Sequence, residues 1–93
     1  MKNLPMDLLR TFVTVVEFNS FTKAGDILGR SQPAISLQIG RMEEMLDQRL
    51  ILREGKSLLL SDTGETLYEY AKQILSLNDL AVSDCTKSTV IGK

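Results

Sequence analysis

The chain has 93 residues, 43% of them hydrophobic, with 11 Lys and Arg against 12 Asp and Glu for a formal charge of -1. A single domain of this size hides only about 60% of the surface its unfolded chain exposes, so a second subunit would help to complete it. With no histidine and one cysteine, Cys85, the chain alone cannot assemble a Ser/His or Cys/His nucleophilic site, a His/Cys zinc site or an internal disulfide.

The N-terminal segment MKNLPMDLLR lacks the apolar core of a signal peptide, and no apolar run approaches the ~20 residues needed to cross a bilayer. A cytoplasmic protein without a membrane partner is expected. The first helix is predicted over residues 6–18, where Leu8, Leu9, Phe12, Val13, Val15 and Val16 make a broad apolar face and Pro5 stands where a proline is tolerated. Asn19 and Ser20 break the pattern. Thr22 is the expected cap of a short second helix ending near residue 28, with Ala24, Ile27 and Leu28 inside and Gly29 free to turn.

A third helix is predicted over residues 32–46, because Ile35, Ile39, Met42 and Leu46 form one stripe at spacings of four, three and four. Two helical patterns joined by so short a turn are the grammar of a helix-turn-helix, which points to DNA. The second of them opens on Ser31, Gln32 and Pro33: a capping hydroxyl, an amide suited to adenine, and a proline at a position that needs no N–H. Its outer face carries Gln32, Ser36 and Gly40, flanked by Pro33, Leu37 and Arg41. Next, RLILREGKSLLLS fits a two-stranded hairpin with Gly55 in its turn, which after a helix-turn-helix is a wing. A last helix begins at Ser61 and Asp62 and runs to about residue 84 through Leu67, Tyr70, Ile74, Leu77 and Ala81, a seam at alternating spacings of three and four. Its length exceeds what a domain this small covers, so pairing between subunits is expected.

Charge is unevenly placed along this plan. Residues 23–56 hold six basic and five acidic side chains, whereas residues 62–84 hold five acidic ones against Lys72 alone. Phosphate attraction is thus modest for one copy, and useful affinity calls for two copies and falls with salt. Gln32, Pro33 and Ser36 are the candidate base readers. Thr22, Lys23, Arg30, Ser31, Leu37, Arg41, Arg53 and Lys56 are the candidate contacts to phosphate or through the wing, Leu37 having only a thymine methyl to offer. Each has a plainer reading: Gln32 as a solvated first-turn residue, Ser36 bonded to its own helix, the charges as solvating surface. Glu43 and Glu44, placed on an outward helical face, have no partner for catalysis, and an enzyme is not expected.

Taken together, MDLLRTFVTVVEFNSFTKAGDILGRSQPAISLQIGRMEEML, LILREGKSLLLSDTGE and LYEYAKQIL resemble the N-terminal domain of LysR-type transcriptional regulators over about residues 6–80. The most specific piece is SQPAIS with the Ile39, Met42, Glu43 pattern, then Arg53 and the Ser61, Gly64 step. The resemblance implies a mainly α fold, a winged helix-turn-helix with a three-helix core and two-stranded wing over residues 1–60. A long linker or dimerisation helix follows over residues 61–86. It further implies a bacterial, homodimeric regulator bound to an inverted-repeat operator in double-stranded DNA, with a tetramer as a further assembly open to the full-length form. Residues 87–93 resemble the hinge and opening strand of an effector-binding domain absent here, which would take the small-molecule effector. Leu37 and Gly40 stand where basic residues are usual, Arg30 where an apolar one is, Ile51 for a wing phenylalanine, Asp47 for a glycine and Thr63 for an alanine. A winged helix used for protein contact or dimerisation is the alternative, favoured by the near-neutral charge.

Overall fold

The computed structural model describes residues 2–54 and 57–91 and consists of α1 (Met6–Phe18), α2 (Phe21–Leu28), α3 (Gln32–Leu46), the strands β1 (Ile51–Glu54) and β2 (Ser57–Leu60), and α4 (Asp62–Ile91). Three helices and an antiparallel hairpin make a winged helix-turn-helix from which α4 continues. Within the hairpin Ile51 pairs with Leu60, Leu52 with Leu59, Arg53 with Leu58 and Glu54 with Ser57. Gly55 and Lys56, expected at its turn, lie outside the described residues.

The helix ends follow from local chemistry. Asn19 and Asp47, both short polar residues tolerant of left-handed backbone, close α1 and α3 at φ 51 and 54. Ser20, not Thr22, caps α2: its backbone is extended and its hydroxyl accepts from the Lys23 amide at 3.0 Å. Moving the cap back by two residues brings Phe21 into the first turn, where it is buried with Ala24 and Gly25. Ile27, expected inside, is 52% exposed.

One core holds these pieces together, centred on Leu9, Phe12, Val15, Ile35, Met42 and Leu50. From α4 it takes Leu67, Ala71 and Leu75, backed by half-buried Tyr68. Leu67 therefore belongs to this domain's own interior and not to a seam between subunits. The expected seam merges two stripes roughly a third of a turn apart on the helix. One of them faces α1. The other, Tyr70, Ile74, Leu77 and Ala81, stays exposed together with Leu80 and Val82.

Helices α1 and α4 lie antiparallel, as two pairs at their opposite ends require: Arg10 with Asp79 at 3.0 Å, and the Tyr68 hydroxyl donating to Glu17 at 3.4 Å. Hydrogen bonds from Arg10 and then Asn78 hold the exposed Asp79 carboxyl below its usual range. Whatever the pair adds to stability is present above that range and fades as pH falls through it. With no Gly or Pro between Gly64 and Gly92, nothing in the sequence stops α4 at residue 86, and it stays helical through Ile91 where a hinge and strand were expected. Among the described residues, no helix is long and apolar enough to cross a membrane.

Two glycines permit close approaches that fix the elements' angles. A Cβ on Gly25 would stand 2.5 Å from the Arg30 carbonyl oxygen, and one on Gly64 would strike the Leu50 carbonyl oxygen. Gly25 sits where α2 meets the turn into α3, its own carbonyl accepting from the Arg30 amide at 2.8 Å. Gly25→Ala is expected to lower the unfolding free energy by about 1–3 kcal/mol despite alanine's better helix propensity, because backbone must shift. Urea unfolding checks this, and an unchanged or higher midpoint would contradict it.

Candidate nucleic-acid interface

Helix α3 presents its N-terminal end and one long side to solvent. Ser31 caps it, accepting from the Ala34 amide at 3.3 Å, and Pro33 in the first turn gives up an N–H that has no partner within the helix. Ile35, Ile39 and Met42 face inward and are buried. Gln32, Ser36 and Gly40 lie half-exposed along the adjoining flank, with Pro33, Leu37 and Arg41 exposed beside them. Leu37 is 60% exposed, and space around Gly40 is open.

These residues are joined by a short polar chain. The Gln32 Nε2 donates to Ser36 Oγ at 3.0 Å, and Arg53 Nη2 donates to the same oxygen at 3.4 Å. Arg53 comes from β1 and lies over the Phe21 ring, 4.3 Å from its centroid, a cation–π contact that ties wing, α2 and α3 at one point. One hydrogen of the Gln32 amide goes to Ser36. A second hydrogen and Oε1 stay available, the pair that two-point adenine recognition needs.

The other candidate residues are scattered around this centre. Thr22 and Lys23 are exposed in the first turn of α2. Arg30 folds back toward α1, its Nη1 donating to Gln38 Oε1 at 3.1 Å and Thr11 Oγ1 at 3.4 Å, so it braces the turn and keeps Nε and Nη2 free of those bonds. Arg41 is exposed a turn beyond Leu37. Lys56 falls outside the described residues.

Glu43 has a role the sequence did not disclose. Its carboxylate accepts from the backbone amides of Leu50 and Ile51 at 2.8 and 3.3 Å and lies 3.5 Å from Arg49 Nε. Only 19% of the side chain is exposed, in place of the outward position expected for it. The signal was its spacing: four after Ile39 and one after Met42 puts it at the edge of the buried stripe. Ser61 completes the clamp, its hydroxyl donating to the Arg49 carbonyl and accepting from the Gly64 amide at 2.9 Å, so the entry to the wing and the start of α4 are pinned together. Glu43→Ala leaves two backbone donors without their acceptor, and a stability loss of about 1–3 kcal/mol is expected. The Leu50 and Ile51 amide proton resonances should shift furthest. Unfolding and amide NMR spectra check this; an unchanged midpoint with undisturbed wing resonances would contradict it.

Comparison with known proteins places this arrangement. Residues 6–65 match the family described as bacterial regulatory helix-turn-helix protein, lysR family. The HTH-type transcriptional regulator PecT of Dickeya dadantii is 39% identical over 90 residues, covering 97% of this chain and 28% of that protein. DgdR of Burkholderia cepacia, an HTH-type transcriptional regulator too, is 36% identical over 98% of the chain and 31% of its own length. The chain thus spans about a third or less of these two relatives. Among solved structures, the BenM DBD/benA site 1 DNA complex superposes with a TM-score of 0.86 at 40% identity, covering 97% of this chain and 100% of that one.

Proposed function

The chain belongs to the lysR family of bacterial regulatory helix-turn-helix proteins, and from that premise we propose that it is the sequence-reading, DNA-binding part of a dimeric transcription regulator. Helix α3 enters the major groove with Gln32, Pro33 and Ser36 at base edges. The observation that carries this is the two-sidedness of α3: an inner stripe sealed against α1, and an outer face that begins at a capped N-terminus and bears an amide and a hydroxyl. A similar domain occurs in complex with DNA in the BenM structure. The α2 and α3 N-termini, with Ser31, Thr22 and Lys23, bring backbone N–H groups and a charge to phosphates. Arg30 and Arg41 flank α3, Lys56 is by its sequence a further phosphate contact, and Leu37 offers a thymine methyl its side chain.

A near-neutral charge calls for two reading heads. The exposed stripe Tyr70, Ile74, Leu77 and Ala81 on a helix of 30 residues, roughly 45 Å long, suits pairing with a second copy, and the two heads then suit an inverted repeat. The cytoplasm, where DNA is, is the working compartment. In a longer protein like the relatives, a further domain would take a small-molecule effector and could extend assembly to a tetramer.

The second reading, a winged helix for protein contact, is favoured by exposed Leu37 and by the charge of -1. A salt titration with duplexes of varied sequence separates the two. Duplex affinity of the chain is expected to fall log-linearly with salt; Lys23→Ala should weaken all duplexes evenly and make that slope shallower by about one. Gln32→Ala should instead cost about 1–3 kcal/mol at one base pair and flatten preference there. Affinity indifferent to sequence, salt and both substitutions would favour the protein-contact reading.

A further inference from the structure

Ser36 Oγ is where the reading helix meets the wing, and its hydrogen-bonding capacity is nearly spent on the protein itself. A serine hydroxyl has two acceptor lone pairs and one hydrogen. Both lone pairs face donors: Gln32 Nε2 at 3.0 Å, one turn earlier on α3, and Arg53 Nη2 at 3.4 Å, from β1. The arginine cannot exchange roles, because a guanidinium has five N–H donors, no acceptor, and stays charged. Nor is it loosely placed, since its Cζ lies 4.3 Å from the ring centroid of Phe21, a residue buried in the first turn of α2. Within the α3 backbone the outlet for the hydroxyl hydrogen is the carbonyl a turn back. Thr14 uses the equivalent outlet on α1, donating to the Arg10 carbonyl at 2.7 Å. Ser36 makes no such bond among the described residues.

We infer that Arg53, seated on Phe21, is a positioning residue that fixes Ser36 as a hydrogen-bond donor on the outer face of α3, so that this position selects bases presenting an acceptor. In the major groove those are guanine N7 and O6, adenine N7 and thymine O4, against the cytosine amino group. Gln32 is set by the same chain, one amide hydrogen held by Ser36 and the rest turned to the groove. The assignment rests on the reading of α3 as a major-groove helix and adds to it a role for a wing arginine that differs from phosphate attraction. A phosphate contact would make Arg53 matter equally for every sequence. A positioning role makes it matter at one base pair.

The test uses this chain and a panel of duplexes in which each position of a selected site is changed to all four base pairs, with affinity read by fluorescence anisotropy. The unsubstituted chain should prefer an acceptor-presenting base over cytosine at one position by about fivefold, the worth of one hydrogen bond. Ser36→Ala and Arg53→Met should each flatten that preference, at that position alone, and the double variant should flatten it no further. Arg53→Lys keeps charge and solubility but not the guanidinium's fixed fork of donors; it should retain the salt slope and the melting temperature and still lose most of the preference. Arg53 variants that weaken every duplex evenly, with the salt slope shallower by about one and base preference intact, would overturn the assignment and make Arg53 a phosphate contact. Preference lost in Ser36→Ala but kept in both Arg53 variants would overturn it as well. Absence of any duplex binding by the unsubstituted chain would overturn the DNA reading and this assignment together, whereas the preceding two outcomes leave that reading standing.

Discussion

Ile35, Ile39 and Met42 lie along one side of α3 and are lost from solvent against the core, and that burial decides which way the rest of the helix faces. A helix repeats every 3.6 residues, so anchoring positions 35, 39 and 42 turns 36 and 40 away from the core, while 32, at the edge of that stripe, stays half-exposed because it stands in the first turn. Had the stripe stood one residue later, at 36, 40 and 43, Ser36 would face the core and burying its hydroxyl would cost stability. Function in this chain begins as a consequence of apolar packing.

Packing fixes the direction of α3 but leaves the wing to be aimed, and polar contacts do this. Glu43 takes hold of the strand entry through two backbone amides, Ser61 joins that entry to α4, and Arg53 returns from β1 to Phe21 and Ser36. Gly25 and Gly64 admit backbone where a methyl would collide. The proposed reading face is thereby assembled from three elements whose relative angles are set by hydrogen bonds and close backbone contact. On the other flank α4 buries one stripe against its own domain and keeps a neighbouring apolar one exposed, the face proposed for pairing with a second copy.

Much of this was legible in the residues. The limits of α1 and α3 follow from apolar periodicity closed by Asn19 and Asp47, and the wing from two short apolar runs around a glycine-containing turn. The cap of α2 was not, because Ser20 and Thr22 are both able caps two residues apart, and only the burial of Phe21 chooses between them. Leu67 was misplaced for a related reason: two stripes on one helix overlap in a periodicity of three and four, and which belongs to the core depends on where α1 lies. Glu43 and Arg53 could not be assigned roles in advance, since a carboxylate or a guanidinium finds its partner across the fold. The end of α4 was not legible: resemblance suggests a hinge after residue 86, whereas the helix runs on to Ile91 with no Gly or Pro to break it.

In the proposed reading, the outer face of α3, with the start of α2 and the wing around it, meets DNA. Amide NMR mapping of the chain titrated with a selected duplex decides this. Shifts concentrated at residues 20–23, 31–41 and 53–58, with the buried side of α1 undisturbed, are the predicted result. Shifts confined to α4 or to the α1 surface, with residues 31–41 unmoved at saturation, would contradict it.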